Sequence, residues 1–243
     1  DVVETYSDTA YATGVATAVD TVNGKPVKIE YSINGEDWTE KPAEITAIDV
    51  DDTITVQVRA SVPGIYAGYV EKTQVLAIMR RSITLKANDA SKAYDGDSLT
   101  EAGAQIVSSG ALVGGQSFTV TTEGSQTFVG ESTNVIKTVT IRKDSTQKDV
   151  TDNYDITKQP GTLTVTDGTE TDPVNPDNVV TKTHEDKQYG LGDTIEFTIN
   201  VTNIYDETKT ITVVEQSGVI ITEKSVFENV QPGETVTTTA EYV

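Results

Sequence analysis

Short strand-like runs, most of them alternating between apolar and polar side chains, recur along the chain at 27–33, 53–60, 75–79, 83–87, 116–122, 134–142, 162–166, 195–203 and 235–243. A period of two places every second side chain on one face, as expected of a strand half-buried against a core. Valine and threonine dominate these runs, and their β-branched side chains pack well on a pleated surface. Turn signals separate them: Asn34-Gly35, Asp95-Gly96, Gly114-Gly115, Glu123-Gly124, Gly192-Asp193 and Pro232-Gly233. Asn34-Gly35 predicts a tight hairpin, because its two central residues need positive φ. Helical periodicity is weak throughout, with one short helical turn expected at 98–104.

The runs fall into three groups. Residues 1–81 form a first module that passes into the second at Arg80-Arg81-Ser82 with no Gly, Pro or low-complexity spacer. Residues 82–166 form the second. Residues 167–178 lose all periodicity, carry Asp167, Glu170, Asp172 and Asp177 with no base, and hold Pro173 and Pro176, which marks an acidic linker extended by proline and self-repulsion. Residues 179–243 form the third module. The fold class expected is all-β, with three small β-sandwich domains in tandem, immunoglobulin-like or β-grasp-like.

Two of these modules resemble known repeats. Tyr94-Asp95-Gly96, Asn153-Tyr154-Asp155-Ile156 and Gly161-Thr162-Leu163-Thr164-Val165, in that order, resemble the YDG-type (MBG-like) immunoglobulin-like repeat of large surface proteins of Gram-positive bacteria. The stretch from Tyr31-Ser32 through Asn34-Gly35 to Trp38 resembles the hairpin of modules that precede such repeats, although the opening Tyr6-Ser7-Asp8 departs from Tyr-Asp-Gly. In the third module, Gly192-Asp193-Thr194-Ile195-Glu196-Phe197-Thr198-Ile199-Asn200-Val201 and the Pro232-Gly233-Glu234 turn are similar to the DUF11-type repeat. The resemblance implies an extracellular place, on the bacterial cell surface or cell wall, more than an activity. No signal peptide or wall-anchoring tail is visible and the chain stops inside its last strand, so a fragment of a longer polypeptide, truncated in its third module, is expected.

Charge narrows the partners. With 38 acidic against 18 basic residues the formal charge is −20, a field that repels phosphate backbones and anionic lipid, so neither nucleic acid nor a membrane is expected as partner. No apolar run approaches the roughly 18 residues of a membrane helix. Cysteine is absent, which removes disulfides, thiol catalysis and thiolate metal sites together. The partners expected are neighbouring domains of the same polypeptide and a host glycan or protein, with the chain itself monomeric.

Candidate chemistry is sparse. Trp38, the single tryptophan, together with Tyr66 and Tyr69, is the candidate ligand-binding set, because exposed aromatic faces stack on sugar rings; the competing reading places Trp38 as a plug at one end of the sandwich. Asp49, Asp51 and Asp52 are the candidate metal ligands, hard oxygens suited to Ca²⁺ as the one cofactor the chain would take, without the spacing of an EF-hand loop. The single histidine, His184, lies between polar neighbours and joins no Ser/His/Asp set. Lys182 lies where surface sandwiches often carry an isopeptide lysine, but 235–243 offers no Asn or Asp partner. The chain is therefore expected to be no enzyme but a structural or stalk segment of a cell-surface adhesin-like protein; the alternative is a glycan- or host-protein-binding module using the aromatics of the first domain.

Overall fold

The computed structural model describes residues 1–42, 44–45, 50, 53–108, 110–216 and 218–243. Among these, the regular structure is strand apart from two short 3-10 turns, Thr151–Asn153 and Pro176–Asn178, so the fold is all-β. No helix of the described residues is long and apolar enough to cross a membrane. Residues 98–104, expected to hold a helical turn, hold none: Leu99 exchanges backbone hydrogen bonds with Gln126 and β-structure resumes at Ala104. The weak helix propensity of that short stretch is outweighed by the pairing.

The chain forms two compact units, Asp1–Leu85 with Ile106–Thr119 and Val139–Thr157, and Lys86–Gln105 with Val120–Thr138 and Lys158–Val243. Residues 82–166 contribute to both. In the first unit the strands are β1 (Val2–Thr5), β2 (Tyr11–Ala12), β3 (Lys28–Ser32), β4 (Glu44–Ile45), β5 (Thr53–Ser61) and β6 (Val70–Met79). One sheet runs β1-β6-β5-β3, while β2 and β4 pair separately. On β5, Val56 and Val58 are buried whereas Thr55 and Gln57 face solvent, the alternation read from the sequence. The buried side packs Tyr31, Val56, Val58 and Leu76 together, with Val2, Ile29 and Ile54 against them. Tyr31 is admitted to this core because its hydroxyl accepts a hydrogen bond from Ala16 N at 2.8 Å.

The Asn34-Gly35 segment is not the two-residue turn expected. Only Gly35 has positive φ (77°). The loop is held by side chains: Ser32 Oγ accepts from Gly35 N, and Asn34 Oδ1 accepts from Glu36 N and Asp37 N, each at 2.9 Å. Asparagine and serine thus cap a wider loop that brings Thr39 back to pair with Tyr31.

Residues 82–166 supply β7 (Arg81–Ala87), β8 (Ala90–Ala93), β9 (Ala104–Ile106), β10 (Gln116–Glu123), β11 (Gly130–Lys143), β12 (Tyr154–Gln159) and β13 (Gly161–Thr166). They form two sheets, β12-β7-β9 and β10-β11-β13-β8. Where the first unit continues into this region, a polar chain is buried. Gln116 Nε2 donates to the Tyr6 hydroxyl at 2.9 Å, the Tyr154 hydroxyl donates to Gln116 Oε1 at 2.7 Å, and Val113 N donates to the Tyr154 oxygen at 3.0 Å. The two tyrosine rings meet edge to face, 5.6 Å apart. Burial pushes the Tyr154 phenol above its ordinary pKa, so it stays a neutral donor. Arg81 Nε donates to Ala111 O at 2.7 Å and Lys143 pairs with Asp8, which ties Arg80-Arg81 into a built junction.

The second unit adds β14 (Val180–His184), β15 (Ile195–Thr202), β16 (Lys209–Thr212), β17 (Val219–Ile221), β18 (Val226–Val230) and β19 (Thr235–Tyr242), in a β14-β15-β19-β17 sheet and a β16-β18 pair. Its central cluster joins Tyr94, Val165 and Ile204, with Phe128, Val129, Val174, Val179 and Tyr205 packed around them. The motif residues are structural here: Tyr94 is core, Gly96 takes φ 88° in the turn, and Asp95 accepts from Lys92 Nζ and Asp97 N, in which company its carboxyl falls below its usual pKa. Residues 167–178, expected as an extended spacer, are tied down along their length. Asp167 accepts from the Tyr205 hydroxyl, Asp172 accepts from Ala93 N, Val174 enters the cluster, and Asn175 caps the Pro176–Asn178 turn. An apolar side chain with a site to fill outweighs the extension favoured by proline and charge.

Candidate functional site

The first-unit sheet carries the most organised polar group on its outward face. Register places Glu30 opposite Arg59 and Arg59 opposite Glu71, with Gln57 opposite Thr73 one step along. Because β5 buries Val56 and Val58, its odd-numbered side chains 57 and 59 point the other way. Arg59 Nε donates to Glu30 Oε2 at 3.0 Å, and Lys28 Nζ donates to Glu30 Oε1 at 2.8 Å. The Lys28 and then the Arg59 hydrogen bonds hold the Glu30 carboxyl below the usual glutamate range, and the same pairing raises Lys28.

Two aromatic rings meet the Arg59 guanidinium. Its central carbon lies 4.1 Å from the Trp38 ring centroid and 4.2 Å from that of Tyr69, within cation–π range. Trp38 is positioned by the Ser32–Asn34 loop, its indole N–H reaching Gly35 O at 3.2 Å. Tyr69 enters just before β6 and is 54% exposed. Two of the three aromatics singled out in the sequence are therefore brought together, and Arg59, which meets both, is the residue that sequence reasoning missed. Alternation on 53–60 does not single out Arg59; only the register with β3 shows its Glu30 partner.

Tyr66 is placed apart from this stack, 48% exposed, its hydroxyl accepting from Asn23 Nδ2 at 2.6 Å. With Tyr69 it borders an open groove of about 420 Å³ whose walls include Val19, Val22, Val62 and Val70. The competing expectation for Trp38, a buried plug, is half met: the ring is partly covered, but by an arginine on its face.

Asp49, Asp51 and Asp52 lie outside the described residues. Among those described, no group of three or more His, Asp or Glu side chains is placed to hold a metal ion. His184 is exposed, its Nδ1 2.8 Å from Glu185 O and its ring near Tyr189 and Phe197. Lys182 Nζ pairs with Glu215 at 2.6 Å and stands over the Phe197 ring.

No family model and no curated relative matches the chain. Among solved structures it is similar to the human desmocollin-1 ectodomain, at 11% identity over 93% of this chain and 48% of that one, with a TM-score of 0.23. It is also similar to the SGBP-B protein of a Bacteroides ovatus mixed-linkage glucan utilization locus, solved with a heptasaccharide, at 8% identity over 98% of this chain and 55% of that one, with a TM-score of 0.22. The chain thus spans about half the length of each, and the likeness is too distant to carry over a ligand or partner.

Proposed function

We propose that the chain is a non-catalytic stalk segment of a bacterial cell-surface adhesin-like protein, built to transmit tension between its ends. One observation carries this reading: in the first and third modules the strands that take up chain from the two ends run parallel. β1 pairs with β6 in parallel, from Val2 opposite Leu76 to Thr5 opposite Met79, and Tyr6 N continues the ladder onto Met79 O at 2.9 Å. In the second module the chain enters through β7, in the other sheet, and it is the next strand, β8, that pairs with β13 in parallel, from Ala90 opposite Leu163 to Ala93 opposite Thr166. In the third module β14 and β19 both run antiparallel to β15, hence parallel to each other with β15 between. A pull on the N-terminal end of the first strand and the C-terminal end of the last then acts along the strands. Every rung of the ladder is loaded together in shear, whereas a pull across a strand end opens rungs one at a time.

The resemblance of 82–166 and 179–243 to repeats of Gram-positive surface proteins supports the extracellular place. The chemistry supports the non-catalytic part: among the described residues the only side-chain hydrogen bond of His184 is to a backbone carbonyl. Because the chain has no cysteine, introduced cysteines give unique handles for single-molecule stretching. Pulled from its two ends, the first module should open at a higher force than when pulled through Thr9→Cys and Met79→Cys, which grip β1 and β6 at the same end and peel them apart. Equal forces in the two geometries would remove the basis for a tension-bearing role.

A further inference from the structure

We infer that the outward face of the β3-β5-β6 sheet is a binding platform for a neutral oligosaccharide, centred on Arg59. The pleat and the register put Gln57, Arg59, Glu71 and Thr73 side by side on one face, since directly opposed residues of an antiparallel pair sit about 5 Å apart. Arg59 is held in one orientation by Trp38, Tyr69 and Glu30. A guanidinium carries five N–H donors, and only Nε–H is used here; the terminal amino groups meet no acceptor among the described residues. The side chains of Gln57, Glu71 and Thr73 likewise make no hydrogen bond to a described residue. Donors, acceptors and a hydroxyl are thus collected beside two fixed aromatic rings, with the conformational cost of ordering Arg59 already met in the free protein.

Charge chooses the ligand class. Glu30 and Glu71 flank Arg59 on both neighbouring strands, and the chain as a whole carries −20, so a polyanion is disfavoured at close and long range. A sugar's hydroxyls fit both sides of the set. They accept from the Arg59 amino groups and the Gln57 amide, and they donate to the Glu71 carboxylate. The exposed part of the Tyr69 ring and the rim of Trp38 offer apolar surface to the C–H face of a pyranose. An open depression of about 440 Å³ bordered by Gln57, Glu71 and Thr73 gives a chain of more than one ring room to lie along this face.

Trp38 is the only tryptophan, so its emission reports directly on this face. The full chain is titrated with cellohexaose, maltohexaose, xylohexaose and mannohexaose, and separately with an oligogalacturonate of equal length, while emission and heat of binding are followed. At least one neutral hexasaccharide is expected to saturate the Trp38 signal. Glu71→Ala and Gln57→Ala, both exposed and without side-chain hydrogen bonds to described residues, should each weaken that binding by about tenfold, as for loss of a hydrogen bond in a site with charged partners. Arg59→Lys, which keeps the charge but not the fork, should weaken it further. Unchanged far-ultraviolet dichroism and melting of the first two variants separate lost contacts from lost fold. No saturation by any neutral hexasaccharide, saturation that survives both alanine variants, or preference for the oligogalacturonate would each overturn the proposal. None of these outcomes bears on the stretching experiment, which tests the stalk reading separately.

Discussion

Tyr6 shows how little of a side chain's role is visible in its own neighbourhood of the sequence. Tyr6-Ser7-Asp8 looks like a degenerate turn triplet, yet Tyr6 is fully buried and its hydroxyl is the acceptor that completes the Gln116–Tyr154 chain more than a hundred residues away. Removing that oxygen leaves a buried amide donor without its partner, and an orphaned buried donor costs more than the net worth of the bond it lost. Tyr6→Phe is therefore expected to destabilise the first unit by about 1–2 kcal/mol. Tyr66→Phe, whose hydroxyl bonds Asn23 at the surface, should stay within about 0.5 kcal/mol. Urea unfolding followed by Trp38 emission reads both; equal effects would mean that the buried chain is not cooperative. Trp38 and Tyr69 were legible as candidates because aromatic residues are few, 6% of the chain. Arg59 was not, because what distinguishes it from the other basic residues is its setting against two rings.

Among the elements, the strands with strict alternation were the legible ones. Runs at 53–60, 134–142 and 195–203 appear as Thr53–Ser61, Gly130–Lys143 and Ile195–Thr202. The first half of β6 was not foreseen, because Val70, Glu71, Lys72 and Thr73 are all exposed and leave no apolar alternation; it is a strand because it pairs with β5. Gly161 shows a second kind of hidden constraint. It reads as an ordinary strand opener, but a Cβ there would stand 2.4 Å from Asn88 O and 2.6 Å from Ala87 O. Both atoms are backbone and cannot rotate away, so Gly161→Ala must shift β13 against the chain leading into β8, at a cost of about 1–3 kcal/mol. Gly114→Ala is the control: nothing lies within 4 Å of its Cβ and its φ is not left-handed, so the lower entropy of the unfolded chain leaves it neutral or slightly stabilised. Far-ultraviolet dichroism in urea compares the two, and equal midpoints would show that the β13 contact yields freely.

For the whole molecule the excess of acids over bases is the dominant electrostatic fact. The ion pairs are mostly exposed, such as Lys86–Asp89, Lys137–Glu123 and Lys187–Glu185, and such pairs contribute at most about 1 kcal/mol each in water. Salt screens them, but it also screens the repulsion among the remaining acids. With 38 acids and 18 bases, even complete pairing would leave 20 acids unpaired, and their repulsion is present in the folded chain at higher density than in the unfolded one. Repulsion is therefore the larger of the two effects. The Debye length falls from about 30 Å at 0.01 M to about 8 Å at 0.15 M, so over that range most repulsion between distant acids disappears while the closest pairs are least affected. The melting temperature is expected to rise between those concentrations of sodium chloride, by about 2–4 °C for each kcal/mol of repulsion relieved. A fall would mean that the attractive pairs outweigh the net charge. Calcium chloride matched in ionic strength supplies the internal control for Asp49, Asp51 and Asp52: general screening gives the sodium chloride curve, whereas a specific site filled to a hundredfold above its dissociation constant adds about 2.7 kcal/mol on top of it.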